Sequence, residues 1–219
     1  MVPLAEIINR VRVRYEIEGG GSNVRYSDDD ITSFINDGLG ELAEATHFYE
    51  RYVTIPIIEG NSYYDIRGFT PDIPVNIKAI WNSVRNDWMK EIIQENLEWT
   101  WERSSGDPQT YFTRGIYWII VAPVPKATTG YLKVHFAAIP AKFTSVQSVL
   151  GDLPDDYVPA LEAYCLYEMA ALDRLTSMAL MYWKDYSTRE KSLADFVDDR
   201  LVSAGGARFG GMRAGRLRG

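Results

Sequence analysis

The 219 residues carry 23 basic and 30 acidic side chains and 46% hydrophobic residues, a balance that excludes a disordered or fibrous chain and permits one substantial core with or without a satellite. The lone Cys165 excludes an internal disulfide and a thiolate metal cluster; no apolar run approaches the roughly 20 residues of a membrane span, and MVPLAEIINRVRVR lacks a secretory core, so a protein made and kept in a cytoplasm is expected. The stretch GGARFGGMRAGRLRG (205–219) holds four arginines and no acid, and the remaining 19 basic against 30 acidic residues set 1–204 at −11, so an acidic body carries a basic tail suited to an acidic partner.

From Pro3 to Glu16, Leu4, Ile7, Ile8, Val11 and Tyr15 recur at spacings of three and four, which predicts a short amphipathic helix. Gly19, Gly20, Gly21 and Ser22 interrupt it as a linker. Ser27 with Asp30 three residues on reads as a capping box, and Asp28 to Asp30 place negative charge at a positive helix end. The second helix runs to about His47, with Ile31, Phe34, Ile35, Leu39, Leu42 and Ala45 or Thr46 on its apolar face.

From Arg51 the texture turns β-branched and aromatic. RYVTIPII, a turn at Glu59-Gly60-Asn61 and SYYDI predict a β-hairpin. Strands are expected at 75–82, 109–115, 116–122 and 131–139, separated by turn sequences, with a short helix over Gln94 to Trp101. Pro154-Asp155-Asp156 opens a third helix, YVPALEAYCLYEMAALDRL, apolar around most of its circumference and so expected between other elements, with Cys165 a small core residue. A fourth helix, about Met178 to Ser203, repeats Met178, Tyr182, Tyr186, Arg189, Leu193, Phe196 or Val197 and Leu201 and should pair with the third as an antiparallel hairpin.

These elements predict an α+β protein: a helical bundle of about four helices with an inserted antiparallel β subdomain and a flexible C-terminal tail. Its expected parts are N-terminal helices (1–50, linker at 19–22), the β subdomain (51–150), a helical hairpin that packs on the N-terminal helices (151–204) and the Gly/Arg tail (205–219).

Motifs of catalysis are absent from the sequence: no HExxH, GxSxG, GxxxxGK[ST] or GxGxxG occurs. Gly19 to Gly21 follow no strand, and Asp28 to Asp30 would repel a phosphate. The consecutive aspartates lack the 1, 3, 5 spacing of a calcium loop and read as a helix cap. Asp155 with Asp156, Asp198 with Asp199, and Glu50 with Glu59 are carboxylates of the kind an acid and base pair needs, yet nothing singles out a pair. No catalytic, cofactor or metal residue is therefore assigned, and a non-enzyme is expected. His135 is placed on the face opposite Val134 and Phe136, towards solvent or an edge, and His47 ends a helix, where positive charge is favoured. Trp81, Trp88, Trp99, Trp101 and Trp118 concentrate in the β region, suited to core, subunit contact or a sugar cleft. In the tail, Arg208, Phe209, Arg213, Arg216, Leu217 and Arg218 are spaced by glycines; arginine forks bind carboxylates or phosphates. RNA is a further ligand for such a tail, opposed by the acidic body.

The order of pieces resembles the bacteriophage head-tail adaptor, or connector, family over about Ser27 to Ser203. The matching parts are DDITSFINDGLGELAEAT, YVTIPIIEGNSYYDI, VNIKAIWN, IYWIIVAPVP with YLKVHFAAIPAKF, and LPDDYVPALEAYCLYEMAAL with YWKDYSTREKSLADFV. The resemblance implies a structural virion protein at the head-tail junction, a ring of about twelve copies beneath the portal. Such a ring recruits downstream tail or neck proteins and continues the channel for genomic DNA without sequence-specific binding. C-terminal segments of the family often dock on the portal, which makes the six tail residues portal-binding candidates. No cofactor and no membrane partner is implied. The alternatives are another neck, stopper or tail-completion protein, a carbohydrate-binding module built on the Trp-rich region, and a virion-associated hydrolase that uses two carboxylates.

Overall fold

The computed structural model describes residues 2–19, 25–93, 101–143 and 153–205. They form an α+β protein in two compact units, one from Met1–Arg51, Thr70–Asn76 and Phe136–Asp195, the other from Tyr52–Phe69, Ile77–His135 and Phe196–Gly219.

The first unit is mainly helical. Helix α1 (Leu4–Ile17) buries Leu4, Ile7, Ile8, Val11 and Tyr15, the stripe its sequence predicts; each such side chain contributes about 1.5–3 kcal/mol on leaving water. On its exposed face Glu6 meets Arg10 and Arg14 meets Glu18, each four residues apart. Helix α2 (Asp28–Thr46) starts on the expected capping box: Ser27 Oγ accepts from the Asp30 N–H at 3.1 Å and Asp30 Oδ2 accepts from the Ser27 N–H at 2.9 Å. The Ser27 Oγ–H, which donates to Asp30 Oδ2 at 2.7 Å, and then the Ser27 N–H hold the Asp30 carboxyl below the usual carboxylate range. The helix ends at His47, whose φ of 55° is left-handed and whose N–H returns to the Ala43 carbonyl at 2.9 Å.

Helix α3 (Val158–Leu172) follows a single 3₁₀ turn, Asp155–Tyr157, with Pro159 tolerated in its first turn. Its buried residues include Val158, Leu161, Cys165, Leu166 and Met169 and fall on no single face, because α1 and α2 both pack on it. Burial raises the Cys165 thiol well above its ordinary value. Helices α2 and α3 approach closely at Gly38, where a Cβ would stand 2.7 Å from Cδ1 of Tyr164. Arg174, with φ 59°, closes α3: its N–H reaches the Ala171 carbonyl while the Leu175 N–H reaches Ala170, a Schellman ending. Helix α4 (Thr176–Gly205) then returns antiparallel, since Tyr164 meets Tyr186 and, further along α3, Tyr167 meets the earlier Trp183.

Strands β1 (Glu50–Pro56), β3 (Ile73–Asn82), β4 (Asp87–Trp88) and β10 (Tyr131–Ile139) form a sheet in the order β1-β10-β3-β4. A second sheet takes β2 (Tyr63–Asp65), β5 (Lys90–Glu91), β7 (Thr110–Arg114) and β8 (Trp118–Ala122) in the order β2-β8-β7-β5, and β6 (Ser105–Gly106) pairs with β9 (Val124–Pro125). The four strands expected at 75–82, 109–115, 116–122 and 131–139 are present.

Three expectations are corrected. The predicted hairpin across Glu59-Gly60-Asn61 does not form: β1 lies beside β10 and β2 pairs with β8 in the other sheet. The turn itself exists, with Gly60 at φ 73°, but the Tyr64 hydroxyl fastens it, donating to the Asn61 carbonyl at 3.0 Å and accepting from the Ile58 N–H at 3.2 Å. Alternation in sequence marks a strand without naming its partner. Secondly, the sheets are mixed, since β5 runs parallel to β7 and β6 to β9; the long connections between these partners permit the same direction. Thirdly, His135 is not turned to solvent. It is only 9% exposed and stacks on the Tyr52 ring at 4.4 Å, 10° from parallel, because β10 is an inner strand with both faces covered from Val134 to Ala138. In the second unit, fully buried Asn82 donates from Nδ2 to the Pro108 carbonyl at 2.8 Å and accepts from the Val84 N–H at 2.9 Å.

Candidate interaction surfaces

Arg208, Phe209, Arg213, Arg216, Leu217 and Arg218 lie outside the described residues, as do the helix expected over Gln94 to Trp101, save its last residue, and Trp99 within it. Of the other tryptophans, Trp81 and Trp88 pack edge to face at 5.4 Å across β3 and β4, whereas Trp118 stands on β8 in the other sheet. They form no common cleft among the described residues. Trp118 instead lines an open depression of about 370 Å³ with Tyr63, Arg114 and Ile120. At its edge the Tyr63 hydroxyl donates to Glu102 at 2.9 Å, and that bond, ahead of burial, raises the phenol. One exposed indole with one tyrosine is a small platform, suited to a contact rather than to enclosing a ligand.

The acids considered from sequence do not converge. Asp155 and Asp156 sit in the 3₁₀ turn before α3, Asp198 and Asp199 are exposed on α4, Glu50 begins β1 and Glu59 lies in the turn after it. A different group does come together in the helical unit, and the sequence reading passed over it. Each of three helices contributes two residues one turn apart: Asp37 and Glu41 from α2, Tyr164 and Glu168 from α3, Tyr186 and Glu190 from α4. Burial first, then the Glu41 and Glu168 charges, raise the Tyr164 phenol, whose ring lies 5.2 Å from that of Tyr186. Burial first, then the nearby Asp37 and Glu41 charges, raise the Glu168 carboxyl; burial and Glu41 raise that of Glu190. Tyr186 is fully buried, its phenol is raised by burial and by Glu41 and Glu190, and its hydroxyl has no hydrogen-bond partner. Among the described residues the one cation paired with the group is Lys142, 3.4 Å from Asp37 and largely exposed. The signal in sequence is a spacing of four on each helix, acid to acid on α2 and tyrosine to acid on α3 and α4, which means nothing until the helices are docked.

A rim of aromatic rings adjoins this group. Tyr167 and Trp183 are 5.0 Å apart, Trp183 and Tyr186 5.4 Å, and Trp183 is 38% exposed. Nearby on α4, Leu180 and Met181 also face solvent. Large apolar side chains exposed close together on one helix suit contact with another protein surface.

Among the described residues no helix is long and apolar enough to cross a membrane, and no three His, Cys, Asp or Glu side chains are placed to hold a metal ion. No curated protein matches the chain. A family model described as SU10 adaptor protein does match, over residues 2–208, and the chain belongs to that phage head-tail adaptor family.

Proposed function

We propose that the chain is a non-enzymatic ring subunit of the virion neck, about twelve copies of which join the portal to the tail and continue the DNA channel. The observation that carries this reading is the family match across residues 2–208. The exposed Leu180, Met181 and Trp183 on α4 suit side-by-side packing of copies. A body of charge −11 over residues 1–204, from 19 basic and 30 acidic side chains, lets a polyanion pass without adhering. The basic segment 205–219 docks on the portal through Arg208, Phe209, Arg213, Arg216, Leu217 and Arg218, and many copies make weak single contacts sufficient. The subunit is made in the host cytoplasm and resides at the head-tail junction, where downstream tail or neck proteins join it.

Mass photometry of the purified protein, alone and with portal particles of the same phage, tests this. The expected result is saturable loading of many copies per portal, lost when residues 205–219 are deleted. A monomer that ignores portals would overturn the reading.

A further inference from the structure

We propose that the carboxylate and tyrosine group on α2, α3 and α4 is an arginine socket, filled by the segment 206–219 of a second copy of this chain. The inference rests on the ring reading only in requiring that two copies meet.

The socket is incomplete as it stands. Four carboxylates and two phenols converge from three helices, and Glu41, Glu168 and Glu190 have no ion pair with any described residue. The Tyr186 hydroxyl, fully buried beside Glu41 and Glu190, lacks the partner that a buried polar atom ordinarily has. A guanidinium meets these demands together. Its planar fork offers five N–H donors, enough for two carboxylates and the phenol oxygen, and its charge opposes the repulsion among the acids. An ammonium ion offers three donors from one point and spans fewer acceptors.

The segment 206–219 has the complementary chemistry. It contains Arg208, Arg213, Arg216 and Arg218, no acid, and Phe209. The aromatic rim at Tyr167 and Trp183 offers faces on which a guanidinium or the Phe209 ring stacks. At full extension 14 residues reach about 46–50 Å, beyond the diameter of a small domain. The same segment is then handed to the portal once that partner is present.

The test uses the whole chain without portal. Arg213→Lys places an amine in the segment; equal amounts of unlabelled and isotope-labelled protein are mixed, treated with a carbodiimide and analysed by mass spectrometry. The expected crosslinks join position 213 to Glu168 or Glu190, pair one labelled with one unlabelled peptide, and exceed those to Asp198 and Asp199 by about tenfold. Glu168→Gln with Glu190→Gln abolishes them. Crosslinks spread evenly over exposed acids, crosslinks confined to one label, or none at all would each overturn the socket. Because Arg213→Lys leaves the helical unit unaltered, the result stands even where the glutamine pair fails to fold. Mass photometry of the same samples separates the outcomes: oligomers without the crosslink defeat the socket and leave the ring reading intact.

Discussion

The Tyr15 hydroxyl, on α1, donates to Oδ2 of Asp173, the residue that caps α3, at 2.5 Å. Tyr26 donates to the other oxygen at 3.0 Å, and Arg25 pairs with it from a mostly exposed position. Burial, then the bond to Asp173, pushes the Tyr26 phenol up to about 12 and raises Tyr15 as well. Asp173 thus gathers the N-terminal region onto the end of α3. Removing the carboxylate leaves the two hydroxyls to share the Met169 carbonyl, 3.4 Å from Tyr15 and 3.1 Å from Tyr26, so Asp173→Ala should cost about 2–3 kcal/mol and Tyr15→Phe about 1.5–2 kcal/mol. Arg25→Ala, which loses only an exposed pair, should cost about 0–1 kcal/mol. Urea unfolding of the three variants checks the order; an Arg25 effect as large as that of Asp173 would contradict it.

Gly38 makes a second, sharper case. A methyl group there meets Cδ1 and Cγ of Tyr164 at 2.7 and 2.8 Å and its Cβ at 3.2 Å. Since the near end of the tyrosine is struck as well as the ring, rotation about the side chain does not relieve the overlap, and the helices must separate. Overpacking of this kind costs about 1–3 kcal/mol, against a gain of about 1 kcal/mol from replacing glycine in a helix. Gly38→Ala should therefore be destabilising by up to roughly 2 kcal/mol, seen as a lowered Tm. A raised Tm would mean that α2 and α3 give way easily.

Acid titration should separate two sets of carboxylates. Glu168 and Glu190 have folded values raised above the ordinary 4.5. The folded chain then holds more protons than the unfolded one through that window, so their contribution to stability falls as pH rises. Glu18 runs the other way: burial opposes it, but bonds from the Tyr182 hydroxyl at 2.5 Å and Arg14 Nε at 2.9 Å lower its value. Stability from Glu18 is present above the unfolded value and lost as acid protonates it. Glu168→Gln with Glu190→Gln should raise Tm at about pH 7 and change it less at about pH 4, while Glu18→Gln should lower Tm at about pH 7 and change it less under acid. Parallel Tm shifts at both pH values would refute the assignment.

Much of the helical unit was legible because its signals are local. The α1 stripe is fixed by one period, and the α2 start by two side chains three residues apart. The apolar circumference of α3 predicted a central position, which α1 and α2 supply by packing on it. What escaped were facts of pairing. Tyr64 was read as a strand residue in a hairpin, whereas its hydroxyl secures the turn and its strand joins β8. His135 obeyed the alternation of β10, but alternation carries no information about what covers the far face, here Tyr52. The arginine socket was hidden for the same reason, since Glu41, Glu168 and Glu190 are distant in sequence and unremarkable singly.

The composition of the helical unit from Met1–Arg51, Thr70–Asn76 and Phe136–Asp195 sets a timetable for synthesis. The apolar stripes of α1 and α2 leave the ribosome before α3, the helix that both pack against, has been translated. Between Thr46 and Val158, at about 5–20 residues per second, lies an interval of about 6–22 s. For that time a nascent chain presents two sticky helices with nothing to cover them but each other or a chaperone. Translation of the β-strand region is therefore the interval in which α1 and α2 lack the helix they pack against.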